Sequence, residues 1–201
     1  LDTLGVAIIS KDEPIERVAM LVDYLSPLAS QFSIMDTGSE TYMDDKRKVG
    51  TWKANIIYEQ IPWRPDFSSM RNETLSRLDT DWTLHVDCDE LPNIEAMRSI
   101  ERVLTDCSER TLGWLMLCLN YWGGELGITV EEHWHCRLFR TRAAKWYKPV
   151  HEQVMLNGNE ESNTRGTEVL PKMSESAYII HAKPQHRLDT SAAIYSKIEG
   201  R

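Results

Sequence analysis

Residues Leu4–Pro14 read LGVAIISKDEP. The run Leu4–Ser10 is apolar and rich in β-branched side chains, and it stops at Lys11-Asp12-Glu13 before Pro14. A short continuous apolar run bounded in this way predicts a strand buried on both faces. From Ile15 the apolar residues Ile15, Val18, Ala19, Val22, Leu25 and Ala29 recur at spacings of three and four, the period of a helix that buries one stripe. A strand followed by a helix, with Asp12 and Glu13 at the corner, is the opening of a βαβ unit.

The pattern continues downstream. Phe32–Met35 predicts a short strand that ends at the turn residues Asp36-Thr37-Gly38-Ser39. Ala54–Tyr58 predicts a third strand, which Pro62 and Pro65 cannot continue because each lacks a backbone donor. Asp66 or Ser68 can cap a helix running through Leu78, and Trp82–Val86 predicts the fourth strand. The order β-α-β-α-β-α-β implies an α/β fold: a doubly wound, mostly parallel sheet with helices on both faces. Such sheets bind ligands beyond the carboxyl ends of their strands, and Asp12, Asp36 and Asp87 all fall there.

The second half reads differently. Met97, Ile100 and Leu104 mark a helix, Trp114–Asn120 a strand, and His135–Thr141 and Ser176–His181 further strands of a smaller antiparallel part. Asn157–Gly166 (NGNEESNTRG) is polar and predicts a loop. No repeat or linker divides the chain. One domain is expected over residues 1–197, with about 1–92 binding a nucleotide-sugar and about 93–197 facing the acceptor. The final Ile198-Glu199-Gly200-Arg201 resembles a processing-protease site placed beside purification tags and is set aside.

With 201 residues, 41% hydrophobic and 27% charged, the chain is long enough for one sizeable core. Its net charge of −8 argues against binding to nucleic acid or an anionic membrane. The densest basic run, Lys46-Arg47-Lys48, reads as a solvated helix face. The four cysteines (Cys88, Cys107, Cys118 and Cys136) lack the paired short spacing of zinc or redox sites and are expected as free thiols in a reducing cytosol. The longest apolar run, Leu112–Leu119, is far too short to span a bilayer, and no charged leader precedes an apolar stretch, so a cytoplasmic location is expected.

Asp81–Pro92, DWTLHVDCDELP, crowds Asp87, Asp89 and Glu90 behind a buried strand. Crowded carboxylates raise one another's pKa, so something must compensate: a metal ion, a basic neighbour, or water at a strand end. Residues two apart share a face of extended chain, so Asp87 and Asp89 project together. Mg²⁺ takes one or two protein carboxylates and completes its shell with water and phosphate oxygens, so this pair suits a bound nucleoside diphosphate.

The ordered series IISKDE, MDTGS, PWRPDFSSMRN, WTLHVDCDE, RLFR, KPVHEQV and IIHA resembles the family 2 glycosyltransferases, from about Gly5 to His181. The resemblance implies the type A nucleotide-sugar-binding fold and a divalent cofactor, Mn²⁺ or Mg²⁺. It implies inverting transfer from a nucleoside-diphosphate sugar, a UDP-sugar being the expected donor, to a glycan, lipid or protein acceptor. By the same resemblance Asp36 lies near the nucleoside, with Asp12 and Glu13 on the donor side. Asp89 contacts the cation, Asp87 reaches the ribose or the metal's water shell, and Arg71 sits near the nucleotide. His181 completes the metal site.

Inverting transfer also needs a base to deprotonate the acceptor, and Glu152 is the candidate, with His151 beside it as runner-up. A surface pair between Lys148 and Glu152 on a helix is the alternative. Trp122 and Gly123 are expected to line the sugar or acceptor site, through stacking and close backbone approach. In His133-Trp134-His135-Cys136, strand alternation puts the histidines on one face and Cys136 on the other, which argues against a zinc site. Two other readings stay open: a sugar-nucleotide-forming nucleotidyltransferase, disfavoured because IISKDEP has no glycine-rich phosphate loop, and a non-catalytic nucleotide- or glycan-binding module.

Overall fold

The computed structural model describes residues 1–124, 127–160 and 170–183; of these, the side chains at 122–124, 127–129, 159–160 and 182–183 are outside the description. The first half is an unbroken alternation: β1 (Leu4–Ser10), α1 (Ile15–Leu25), β2 (Gln31–Asp36), α2 (Tyr42–Val49), β3 (Ile56–Gln60), α3 (Phe67–Ser76) and β4 (Trp82–His85). Then follow β5 (Glu90–Pro92), α4 (Ile94–Asp106), the long pair β6 (Gly113–Gly124) and β7 (Gly127–Arg140), β8 (Ala144–Tyr147), β9 (Gln153–Leu156), β10 (Asn159–Glu160) and β11 (Tyr178–Lys183).

Eight strands form one sheet in the order β3-β2-β1-β4-β7-β6-β11-β5, and β10-β9-β8 form a small antiparallel sheet. Strands β3, β2, β1 and β4 are parallel, and β11 is parallel to β6. Strand β7 runs antiparallel to both β4 and β6, so β6 and β11 point the same way as β4. The ends of β1, β2, β4 and β11 therefore reach one common edge of the sheet.

Alternation along β1 explains the two layers. Leu4, Val6 and Ile8 join Ile15, Val18, Leu21, Val22 and Leu25 of α1 and Ala96, Met97 and Ile100 of α4 in the larger core. On the other face a side chain at Gly5 would come within 2.5 Å of Thr80 Oγ1, so that position tolerates only glycine where the α3–β4 connection crosses. Below α3, Leu75, Cys136, Phe139, Trp146, Val154 and Leu156 make a second core that joins the small sheet to the large one.

Local chemistry sets most boundaries. Helix α1 stops at Leu25 rather than Ala29, because Pro27 cannot donate to a continuing ladder. Asp66 caps α3, accepting from the Ser69 N–H at 3.0 Å, and the helix ends at Ser76 rather than Leu78. Strand β3 lies two residues later than its apolar run suggests: pairing with β2 opens with the Phe32 N–H donating to the Asn55 carbonyl and extends to Gln60 opposite Asp36. The segment between Lys148 and Glu152 is a loop and not a helix, with φ of 70° at Lys148 and 51° at His151. Asn157 and Gly158 make the β9–β10 turn in the left-handed region; the rest of the expected polar loop, beyond Glu160, lies outside the described residues. All four cysteines are free, and no helix among the described residues is long and apolar enough to cross a membrane.

Candidate active site

The turn from β4 into β5 carries the acidic cluster. Cys88 points inward, 6% exposed, and its thiol donates to the Ile9 carbonyl at 3.4 Å. Burial pushes this thiol well above its ordinary pKa, so it stays neutral and inert. With the middle residue buried, Asp87 and Asp89 face outward. Glu90 closes the turn: its side chain accepts from the Asp87 N–H at 2.9 Å, and its own N–H donates to the Asp87 carbonyl at 3.0 Å.

Asp87 is held by a buried arginine. Arg71 of α3 donates to Asp87 Oδ1 at 3.1 Å through Nη1 and to Glu152 Oε1 at 2.7 Å through Nε, with Nη2 at 2.6 Å from the same oxygen. The guanidinium also lies over the Trp146 ring, 5.1 Å from its centre. Burial alone would lower the pKa of Arg71, but Asp87 and Glu152 outweigh it and the net direction is up. Burial alone would raise Asp87, yet Arg71 first, and Arg137 after it, hold its carboxyl well below the usual range. His85, fully buried under the cluster, lies 3.4 Å from Asp87 and edge-on to Trp146 at 5.0 Å. Desolvation, with Arg71 next, keeps its imidazole neutral.

Glu152 arrives here by local docking of the β8–β9 loop on α3. The Phe67 N–H donates to the Pro149 carbonyl at 2.9 Å, and Asn72 brackets the Trp146 peptide with two bonds of 2.9 Å. Adjacent residues of one helix thus anchor the loop and engage its carboxylate. His151, next to Glu152, is exposed.

Asp89 faces His181. One row across the sheet pairs Glu131, Asn120, His181 and Glu90 in register on β7, β6, β11 and β5. His181 is 8% exposed; its Nδ1 is 3.1 Å from Asn120 Oδ1 and its Nε2 is 3.3 Å from Asp89 Oδ1. In the tautomer in which Nδ1 donates to the Asn120 amide oxygen, Nε2 presents a lone pair toward the carboxylate. Nε2 is buried and makes no hydrogen bond. Two electron-rich atoms, one nitrogen and one oxygen, face each other across a gap a divalent cation would fill, and the second ring nitrogen is already oriented as a metal-binding histidine requires. Among the described residues no three His, Cys, Asp or Glu side chains converge on an ion, so Asp87, expected beside the metal, does not join Asp89 and His181 in a cage. Its Oδ1 is turned to Arg71.

The other expected residues spread along the same edge. Asp36 is buried, and its Oδ1 accepts from Gly38 N–H at 2.9 Å, Ser39 N–H at 2.7 Å and Gln60 Nε2 at 3.3 Å. Asp12 has φ of 52°, and its N–H donates to Ser39 Oγ at 2.7 Å. Glu13 pairs with Arg17 at 3.1 Å. Asp12, Glu13 and Gly38 line an open groove of about 710 Å³. Trp122 and Gly123 lie in β6, with their side chains outside the described part. His133 and His135 stack 6.0 Å apart on β7, while Cys136 is buried in the second core, as the alternation implied.

Arg137 was missed as a site residue. It donates to Glu90 Oε1 at 2.6 Å, and Glu90 raises its pKa against the opposing effect of burial. The signal was present in the sequence: a charge flanked by Cys136 and by Leu138-Phe139, in the apolar end of β7, is a buried charge that needs a partner. His85, between Leu84 and Val86 at the end of the apolar β4, gave a similar signal.

No protein-family model matches the chain, and no curated protein matches its sequence. Among solved structures it is similar to glucosyl-3-phosphoglycerate synthase from Mycobacterium tuberculosis in complex with phosphoglyceric acid, at 20% identity and TM-score 0.41 over 62% of this chain and 46% of that one. The same synthase with Mn²⁺, uridine diphosphate and phosphoglyceric acid gives 18% identity and TM-score 0.42, over 62% and 45%. TarS of S. aureus gives 15% and 0.48, over 70% of this chain and 29% of that one. The chain therefore spans less than half the length of each of these structures.

Proposed function

We propose that this chain is the donor-binding and catalytic domain of a metal-dependent inverting glycosyltransferase, a single domain over residues 1–197, acting on a nucleoside-diphosphate sugar with UDP as the favoured nucleotide. The observation that carries this reading is the pairing of Asp89 with the bare, buried Nε2 of His181 at the carboxyl edge of a parallel sheet. Asp89 and His181 would hold Mn²⁺ or Mg²⁺, which as a Lewis acid neutralises charge on the departing diphosphate.

The chain's own residues do the rest. Asp36 and the Asp12 loop receive the nucleoside, Asp87 faces the ribose, and Trp122 and Gly123 line the sugar or acceptor side. Glu152 accepts the proton of the acceptor hydroxyl as its oxygen attacks the anomeric carbon, and the bond from that carbon to the diphosphate oxygen breaks on the opposite face. His151 stands beside it as the second candidate base. The acceptor is a hydroxyl-bearing glycan, lipid or protein, and the free thiols suit a cytoplasmic setting.

Calorimetric titration with UDP in Mn²⁺, in Mg²⁺ and in chelator tests the reading, alongside release of UDP from UDP-, GDP-, dTDP- and CMP-sugars. Binding of UDP that needs the divalent ion, with turnover of at least one donor, is expected. Metal-independent binding with no turnover would leave a non-catalytic module.

A further inference from the structure

Arg71 was expected at the nucleotide, yet its three hydrogen-bonding nitrogens are already engaged. Nε and Nη2 both converge on Glu152 Oε1, Nη1 reaches Asp87 Oδ1, and Trp146 covers one face of the guanidinium. Its side chain is 10% exposed, as is that of Glu152. A planar fork so occupied has little left to offer a diphosphate. We propose that Arg71 is a positioning residue: it holds the acceptor-side base Glu152 in line with the donor-side carboxylate Asp87 and contacts neither substrate. This rests on the function proposed above and assigns Arg71 a different role within it.

Four observations bear on the assignment. Glu152 sits in the short β8–β9 loop, where its neighbour His151 has a left-handed backbone. The loop is tied to α3 by the Phe67–Pro149 bond, and the end of β8 that leads into it is held by Asn72, next to Arg71. The two bonds to Glu152 end on one oxygen, Oε1, and fix the place of that oxygen against α3. The Nη1 bond to Asp87 crosses from the acceptor side to the donor side, so one cation sets the spacing of two carboxylates contributed 65 residues apart in sequence (152 − 87). A misplacement of about 1 Å in a catalytic group can cost about a hundredfold in rate.

The experiment is a double-mutant cycle with Arg71→Ala and Glu152→Gln, read as UDP release from the donor that the wild type turns over in Mn²⁺. Alone, Arg71→Ala should lower kcat about a hundredfold. In the Glu152→Gln background it should cost less than about twofold, because the group it positions is gone. Guanidinium at sub-denaturing concentration should restore turnover to Arg71→Ala but not to the double mutant, and Arg71→Lys, which keeps charge without the fork, should stay slow. Rate losses that multiply in the cycle, or a loss of UDP affinity that Glu152→Gln does not share, would overturn the proposal and return Arg71 to the nucleotide. Should the wild type turn over no donor, the glycosyltransferase reading fails by itself. The same four proteins compared by chemical denaturation then still decide the contact: coupled losses of stability support Arg71 holding Glu152, and additive losses reject it.

Discussion

The carboxylate that ends β2 and those that follow β4 reach the same edge of one sheet and are stabilised in opposite ways. Asp36 is satisfied mostly within its own turn, by N–H groups two and three residues ahead. Asp87 and Glu90 are satisfied by Arg71 and Arg137, from two other elements, and Asp89 faces His181 on a third. A locally bonded carboxylate makes a preformed turn, suited to holding a nucleoside whatever else is bound. Carboxylates held by distant charges depend on the whole fold and can change partners during a reaction.

The largest break in that comparison is expected at Glu152, the far end of the distant network. Glu152→Gln keeps size and some hydrogen bonding but removes the proton acceptor, so transfer should fall by about a hundredfold to ten-thousandfold. UDP affinity should barely move, because the lost interaction acts in the transition state. Single-turnover transfer at saturating donor checks this, and near-normal turnover would shift the base to His151.

Arg137 probes the cost of the same strategy in stability. Glu90 is 1% exposed at its side chain and Arg137 is 12% exposed. Arg137→Met should leave Glu90 buried without its cation and cost about 3–5 kcal/mol in urea unfolding, whereas adding Glu90→Gln should recover part of the loss. A double mutant no more stable than Arg137→Met would mean that packing, rather than the charge pair, sets the value.

Asp89→Asn and Asp36→Ala sharpen the contrast directly. The first should abolish the dependence of UDP binding on Mn²⁺ while leaving the fold intact. The second should weaken UDP binding to a similar extent with and without Mn²⁺, since Asp36 lies at the end of β2, away from the pair formed by Asp89 and His181. Calorimetry on both variants, with and without chelator, reads the outcome. If Asp89→Asn kept a full metal response, the cation would have to sit elsewhere.

The same division decided what could be read from the sequence. Strand β1, helix α1 and the Asp66 cap follow from period and turn chemistry within a few residues, and they appear where expected. The Asp-x-Asp turn is equally local, and the apolar context explains why its middle residue is buried. A smaller antiparallel part was expected in the C-terminal half and is present, but its strands β8, β9 and β10 could not be placed because they are short and pack on Phe139 and Leu75, remote in sequence. Arg137 with Glu90 and Arg71 with Glu152 span 47 and 81 residues, and no spacing rule reaches across such distances. Glu152 and Arg71 were each named as site residues, but not as partners of one another.

His85 gives the finest test of the buried network, because it is read as a slope rather than a loss. The ring is fully buried, and desolvation first, then Arg71, push its pKa well below the ordinary histidine value of 6.5. The folded protein therefore keeps His85 neutral, while the unfolded chain takes up a proton as pH falls below about 6.5. Stability from this group is fully present above that value and is lost at about 1.4 kcal/mol per pH unit below it, until the folded pKa is reached. Asp87, held below the usual carboxylate range with Arg71 the leading favourable influence, loses its contribution only under pH 4 or so. As pH falls, the window of His85 opens first. Unfolding free energies at pH 7 and pH 5.5, compared between wild type and His85→Asn, isolate the difference, since the other histidines cancel. The wild type should lose more stability than the variant over that interval. An equal loss would mean that His85 is charged beside Asp87 and that three cations, not two, hold the buried carboxylates.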